Sequence, residues 1–406
     1  MVFEKVIAFF GFLIFLLLAW VLSDNKKAIP WRTVFWGVGL QIFLGVVILK
    51  TDHGLLVFQK LGDWTRFLLN FSLEGSRFIF GKLADPEGSW GFLFVTMVLP
   101  TIIFMSSLMS VLYFLGIMPK IVQAFAWVMV KTMRISGPES LAAASNIFVG
   151  QTEAPLVIRP YLEKMTRSEI MSLMTGGMAT VAGGVLVAYV GFGVDPVHLL
   201  AASVISAPAA LTVAKLMVPP EPRLPIDFSM RIGRDDTSNI LEAATQGATE
   251  GLRLAANVAA MLVAFISLIA LLNHLLGALG GWIGWPSLSL DLILAYVNAP
   301  FAWLMGVPSQ DVFQVGVLLG KKIVFNEFVG YMDLVKIAPN LDQRSVIVAT
   351  YALCGFANFS SIAIQIGGIG ALAPTQKKTL VQLGLRSLVG GTLACYLTAC
   401  VAGFLV

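Results

Sequence analysis

One stretch, Asn146-Ile147-Phe148-Val149-Gly150-Gln151-Thr152-Glu153-Ala154-Pro155, sets an amide, a hydroxyl and a carboxylate side by side within apolar sequence. A second polar group lies far downstream: Glu327 after Asn326, and Asn358 with Ser360 and Ser361. Gln151 can donate and accept at once, which suits the edge of a heterocyclic base or an amide. A carboxylate with an amide and a hydroxyl suits vicinal sugar hydroxyls, and Phe356 can stack on a flat ring. Where a helix breaks at such a tip, the preceding half offers free carbonyls and the following half offers free N–H groups. One tip can therefore hold a cation and polar ligand groups together. Pro155 fits the first turn of the following half, where no N–H is needed. The competing reading is that these groups only satisfy one another between helices. Two separate helix breaks are a costly way to achieve that.

These residues need a scaffold, and the composition says which kind. The 406 residues are 57% hydrophobic and 12% charged, about half the charge of an average soluble domain at roughly 25%. Several apolar runs reach the ~20 residues that cross a bilayer core. The chain reads as an all-α polytopic membrane protein with eight transmembrane helices, two re-entrant hairpins and inverted repeats with broken helices. The expected spans are 4–23, 33–50, 91–117, 168–192, 197–217, 252–277, 345–372 and 379–405. A cleaved signal peptide is the rival for 4–23, but the run exceeds a usual h-region and no clear cleavage site follows. Residues 54–84 carry apolar residues at helical spacing among Lys60, Asp63, Arg66 and Glu74, as an interfacial amphipathic helix does. Asp85-Pro86-Glu87-Gly88 reads as a turn.

The two polar groups fall on matching places of a repeat. Residues 138–149 and 155–163 are each too short to span and read as a hairpin joined at Gly150–Glu153; 311–325 and 328–338 form its counterpart, joined at Asn326–Phe328. The span after each hairpin is interrupted, at 180–184 and at 354–361. Non-helical backbone at membrane depth survives only where protein or a water-filled cavity covers it. The order span, short helix, hairpin, broken span, span thus occurs twice. The expected divisions are an N-terminal two-span and interfacial region (1–90), a first repeat (91–217), a cytoplasmic linker (218–250) with a short helix from about Ser238, and a second repeat (251–406). The basic residues between the first two spans, with Arg159, Lys164 and Arg167, place those ends in the cytoplasm and the N-terminus outside. On this count the copies are inverted, an arrangement typical of secondary transporters. Arg253 and Asn257 are candidates to line the cavity. Asp291, Gln314 and Lys321-Lys322 read as water-exposed helix ends.

Other chemistries find little support. Cys354, Cys395 and Cys400 lack metal or disulfide spacing and read as packing residues. His53, His198 and His274 form no cluster. A hydrolase using Glu153 and Glu327 lacks a nucleophile–base pair. A channel needs no paired inverted hairpins. Gly367-Gly368-Ile369-Gly370 has no phosphate motif beside it and reads as close helix packing. A net charge of +4 serves orientation and offers no nucleic-acid surface.

Three motifs together resemble the concentrative nucleoside transporters: Gly150-Gln151-Thr152-Glu153-Ala154-Pro155, Asn326-Glu327-Phe328-Val329-Gly330-Tyr331, and Cys354-Gly355-Phe356-Ala357-Asn358-Phe359-Ser360-Ser361-Ile362-Ala363-Ile364 with Gly367-Gly368-Ile369-Gly370. The resemblance runs from about residue 90 to the end, and the short N-terminal part fits bacterial members. It implies a homotrimer in the bacterial inner (plasma) membrane that imports nucleosides by sodium symport, with proton-coupled nucleoside or nucleobase transport as the alternative. By the resemblance, Gln151, Thr152 and Glu153 meet the nucleobase, and Val185, Leu254 and Phe356 pack on it. Glu327, Asn358 and Ser361 hold the ribose. A sodium ion takes the carbonyls of Asn146, Val149 and Val181, and Thr180 through its carbonyl or hydroxyl.

Overall fold

The computed structural model describes the chain except for residues 1, 86–90, 92, 222–227, 229, 231, 233–236, 283 and 286. The expected turn at 86–88 and the charges at 223, 227, 231 and 234–236 lie outside the described residues. Every regular element described is helical. Helices α1 (Val2–Val21) and α2 (Trp31–Lys50) are followed by α3 (Asp52–Phe80), the amphipathic helix. Next come α4 (Phe94–Met97) and α5 (Leu99–Phe114), with a step at Val98, then α6 (Ile117–Met133). The first hairpin is α7 (Gly137–Ser145) and α8 (Ala154–Val157); the broken span after it is α9 (Arg167–Ala179) and α10 (Gly183–Phe192), and α11 (Pro196–Met217) closes the set. The same order returns as α12 (Ile240–Trp282), α13 (Leu290–Leu304), the hairpin α14 (Val312–Val324) and α15 (Glu327–Ile337), the broken span α16 (Gln343–Leu353) and α17 (Phe359–Leu372), and α18 (Lys377–Leu405).

Seven of these segments are long and apolar enough to cross a membrane. The eighth expected span, 345–372, consists of two short helices. The core is built on the broken span α9/α10 with α11 and α18, whose most apolar windows are 78–83% buried, against 17% for α12. The outward apolar face of α12, with Val263 and Leu271 exposed, suits a lipid environment. α1 packs on α18, α2 on α11, α13 on α14, and α5 on α12.

Three expectations are corrected. The second arm of the first hairpin is not a half-helix over 155–163. α8 ends after one turn and a 3-10 turn, Arg159–Lys164, follows. Pro160 explains this, because its ring excludes the hydrogen bond and clashes with the carbonyl four residues back. With four residues, α8 has no dipole to offer a ligand. The expected span 252–277 and the linker helix are one continuous helix of 43 residues, about 65 Å long at 1.5 Å per residue. Nothing between Ser238 and Arg253 breaks it, since Gly247 and Gly251 lie against Ser106 of α5 and serve packing. Finally, Lys321 and Lys322 are not a water-exposed end. Lys322 is 1% exposed and donates to the Ala352 carbonyl at 2.8 Å. Lys321 bridges Asp291 and Asp333 at 3.1 and 2.9 Å.

Candidate functional site

The first hairpin is held by its caps. Ser136 and Glu139 form a capping box at the start of α7, and Thr166 and Glu169 form another at α9, each satisfying N–H groups that a helix start leaves free. Glu139 also pairs with Lys215 of α11 in the interior. The loop from Asn146 to Glu153 then lies against the break between α9 and α10, where the Gly183 N–H donates to the Phe148 carbonyl at 2.9 Å. A Cβ on Gly150 would come 2.5 Å from Glu153 Oε2, so a side chain there would have to displace that carboxylate.

The second hairpin and second broken span are capped by asparagines. Asn326 Oδ1 accepts from Val329 N at 3.1 Å, and Asn358 Oδ1 accepts from Ser361 N at 2.9 Å. Because the Asn358 oxygen is engaged by the cap, its Nδ2 turns to Glu327 Oε2, at 3.1 Å. The other oxygen, Glu327 Oε1, accepts from Tyr189 of α10 at 2.8 Å. The two breaks also meet directly. The Phe356 N–H donates to the Thr180 carbonyl at 3.3 Å. Gly355, with φ +139°, passes so close to Met178 that a Cβ would lie 2.8 Å from its carbonyl oxygen.

This crossing opens one cavity of about 330 Å³. Gln151, Thr152, Glu153, Val185, Leu254, Glu327, Phe356, Asn358 and Ser361 all line it, so the structure brings together all nine expected ligand residues. Arg253 and Asn257 line it as well, as does Ser360. Gln151 Nε2 donates to Ser361 Oγ at 3.0 Å, joining the two hairpin systems across the cavity wall. A smaller cavity of about 120 Å³ shares Gly150, Glu153, Leu156, Ala182, Glu250 and Leu254 with the first and continues along Ser106 and Ser110 of α5. Polar hydrogen-bonding groups converge here on an otherwise apolar wall, as in a small-molecule site.

Asn146, Thr180 and Val181 lie behind the cavity, each at most 2% exposed, and Val149 is 8% exposed. Both amide atoms of Asn146 are buried and have no hydrogen-bond partner among the described residues. The amide faces α9, with Nδ2 3.0 Å from where a Cβ on Gly176 would be. An orphaned amide beside backbone carbonyls fits a hard cation taking oxygen ligands.

Tyr189, Lys322 and Gln365 are polar residues of this region that sequence reasoning missed. Tyr189 lies four residues after Val185, and Gln365 four after Ser361. That spacing puts each on the same helix face as a recognised residue and was the available signal.

The fold and sequence are similar to those of known transporters. The family signature described as "Na+ dependent nucleoside transporter C-terminus" matches residues 198–403, its N-terminal counterpart matches 10–83, and one described as "Nucleoside recognition" matches 95–195. The chain is 43% identical over 419 aligned positions to solute carrier family 28 member 3 of Mus musculus, covering 99% of this chain and 59% of that protein. It is 41% identical to an uncharacterized transporter of Haemophilus influenzae, covering 98% and 96%. The chain thus spans about three-fifths of the length of the mammalian relative. The structure is similar to that of CNTnw in an inward-facing substrate-bound state, at a TM-score of 0.93 and 38% identity over 99% of this chain and 98% of that one. A CNTnw variant in an outward-facing state matches at 0.95, with the same identity and coverage.

Proposed function

We infer the function from one premise: this chain belongs to the Na+ dependent nucleoside transporter family. It is a secondary active transporter that imports nucleosides across a bacterial inner membrane by sodium symport, and it is not an enzyme. The observation that carries this reading is one cavity that both hairpin regions and the second broken span line with polar residues, and the first broken span with Ala182 and Val185. Gln151, Thr152 and Glu153 read the nucleobase, and Val185, Leu254 and Phe356 pack on it. Glu327, Asn358 and Ser361 hold the ribose, with Glu327 oriented by Tyr189. The co-transported sodium sits behind the first tip, on the carbonyls of Asn146, Val149 and Val181 and on Thr180. The unpartnered amide of Asn146 supports that placement.

Transport proceeds by alternating access. Sodium steadies the Asn146–Glu153 loop against the α9/α10 break, and the nucleoside then bridges this loop to Glu327 and Asn358. The inverted repeats 91–217 and 251–406 supply one hairpin each, α5 and α12 form the wall beside them, and the linker 218–250 is cytoplasmic up to the start of α12. The working assembly is a homotrimer in the lipid bilayer. The test is uptake of labelled uridine into proteoliposomes with and without an inward sodium gradient. Uptake driven by the gradient supports sodium symport. Uptake that ignores it, or none, overturns the assignment. Uptake that follows only a proton gradient moves the coupling to protons, a reading favoured by Glu153 Oε2, which is buried without a hydrogen-bond partner among the described residues.

A further inference from the structure

Gln365 of α17 is 1% exposed and does not line the cavity, yet it touches the residue assigned to the nucleobase. Its Nε2 donates to the Met174 carbonyl and to Gln151 Oε1, both at 3.0 Å. A backbone carbonyl can only accept, so the amide nitrogen of Gln365 must be the end that faces Met174. The same nitrogen then forces Gln151 to turn its oxygen toward Gln365. The Nε2 of Gln151 is left toward Ser361 Oγ, at 3.0 Å, and its second N–H has no partner among the described residues. The polarity of the whole relay, from Met174 through Gln365 and Gln151 to Ser361, is thus set by one main-chain carbonyl. The approach is close. A Cβ on Gly177 would lie 2.7 Å from Gln365 Nε2 and 2.8 Å from Gln151 Cβ, so Gly177 leaves the room that the relay occupies.

We propose that Gln365 is a specificity-determining positioning residue: it holds the Gln151 amide with its N–H side to the cavity, so that the site selects nucleobases that present a hydrogen-bond acceptor there. The proposal rests on the nucleoside reading above. A site built to donate rejects an analogue that lacks the acceptor, because its own buried N–H is then unpaired.

The test uses the full chain in nanodiscs and compares binding of uridine with two analogues, in which the 2-oxo or the 4-oxo group is replaced by hydrogen. Wild type is expected to bind uridine at least about ten-fold more tightly than one of them. In Gln365→Met and Gln365→Leu the Gln151 amide is free to turn over, and the ratio is expected to fall below about three-fold while uridine still binds. An unchanged ratio in the variants overturns the role of Gln365, and equal binding of all three compounds by wild type overturns the donor orientation. Should both variants fail to fold, a cryo-EM map of uridine-bound wild type decides: Gln365 still on Gln151 and Met174 supports the proposal, and Gln365 turned away overturns it. No uridine binding by wild type at any sodium concentration would instead refute the nucleoside reading itself.

Discussion

Glu327 shows how one buried charge is made usable. It is 2% exposed, and each carboxylate oxygen already has one donor, Tyr189 on one side and Asn358 on the other. Each oxygen keeps a further lone-pair position, and a sugar hydroxyl can use it only if the carboxylate stays in place. Tyr189→Phe removes one charge-assisted bond and leaves the aromatic packing against Phe328 and Tyr331 intact. Such bonds contribute about 1.5–3 kcal/mol to the folded protein, so the melting temperature is expected to fall, and nucleoside affinity to fall roughly 10-fold as the carboxylate loses its orientation. Isothermal titration of the purified variant checks this, and wild-type affinity would remove Tyr189 from the site's support. Gln151, Glu327 and Asn358 were legible in the sequence because a carboxamide or carboxylate within a membrane-embedded apolar run is costly unless it faces a partner or a cavity. Tyr189 was not, because a tyrosine in an apolar helix looks like any amphipathic core residue. Lys322 was not, because two adjacent lysines resemble a solvated helix end, and only the packing of α14 on α13 and α16 buries the second.

The elements depend on a few contacts that hold the breaks open. Gly355 lets the second broken span cross the first, and its φ of +139° is strained for any side chain. Gly355→Ala adds that strain, about 1–3 kcal/mol, to a methyl 2.8 Å from the Met178 oxygen. It is expected to lower the melting temperature measured by thermal size-exclusion chromatography and to weaken nucleoside binding with it; a variant as stable as wild type would show that the crossing has slack. Lys322 makes a second link, from α14 to the last turn of α16, and its ammonium also acts electrostatically on Glu327. Lys322→Met strips the Ala352 carbonyl of its donor and leaves Glu327 without that cation. Groups coupled in this way are non-additive by about 0.5–3 kcal/mol. The double variant Lys322→Met with Glu327→Gln is therefore expected to unfold at a higher temperature than the two single losses sum to, and simple additivity would refute the coupling. The broken spans and the second hairpin were readable from length and from Gly, Asn and Pro placement. The first hairpin's second arm was misread because apolar length outweighed Pro160. The 43-residue α12 was misread because its first turns are polar, and helix continuity across a change of environment leaves no mark in hydropathy.

At the scale of the whole molecule, α5 and α12 form a wall against which the first hairpin lies. Leu156 of the hairpin and Ser110 of α5 face the same 120 Å³ cavity, which continues into the larger one through Gly150, Glu153 and Glu250. Among the described residues, few side-chain hydrogen bonds tie the α5/α12 wall to the hairpin. Its own seam is tight, with Ser107 Oγ donating to the Ala244 carbonyl at 2.9 Å and Gly247 and Gly251 letting the backbones close. The hairpin, by contrast, is fastened inward: Ser203 of α11 donates to the Ile147 carbonyl at 2.9 Å, and Glu139 pairs with Lys215. On these hydrogen bonds we group the first hairpin with α9 and α11 as one body and α5 with α12 as another, with α10 packed on α5 at the seam, and alternating access requires the bodies to slide. Cysteines placed at Ser110 and Leu156 and joined by a bifunctional thiol reagent should lock them; Cys354, Cys395 and Cys400 are buried and stay out of reach. Cross-linking is expected to reduce sodium-driven uptake to under about a tenth, as blocking a gating motion does. Nucleoside is still expected to bind, since neither Ser110 nor Leu156 is among the nine residues assigned to it. Uptake that persists at full cross-linking would mean that the hairpin does not move past α5, and the division into two bodies would have to be redrawn.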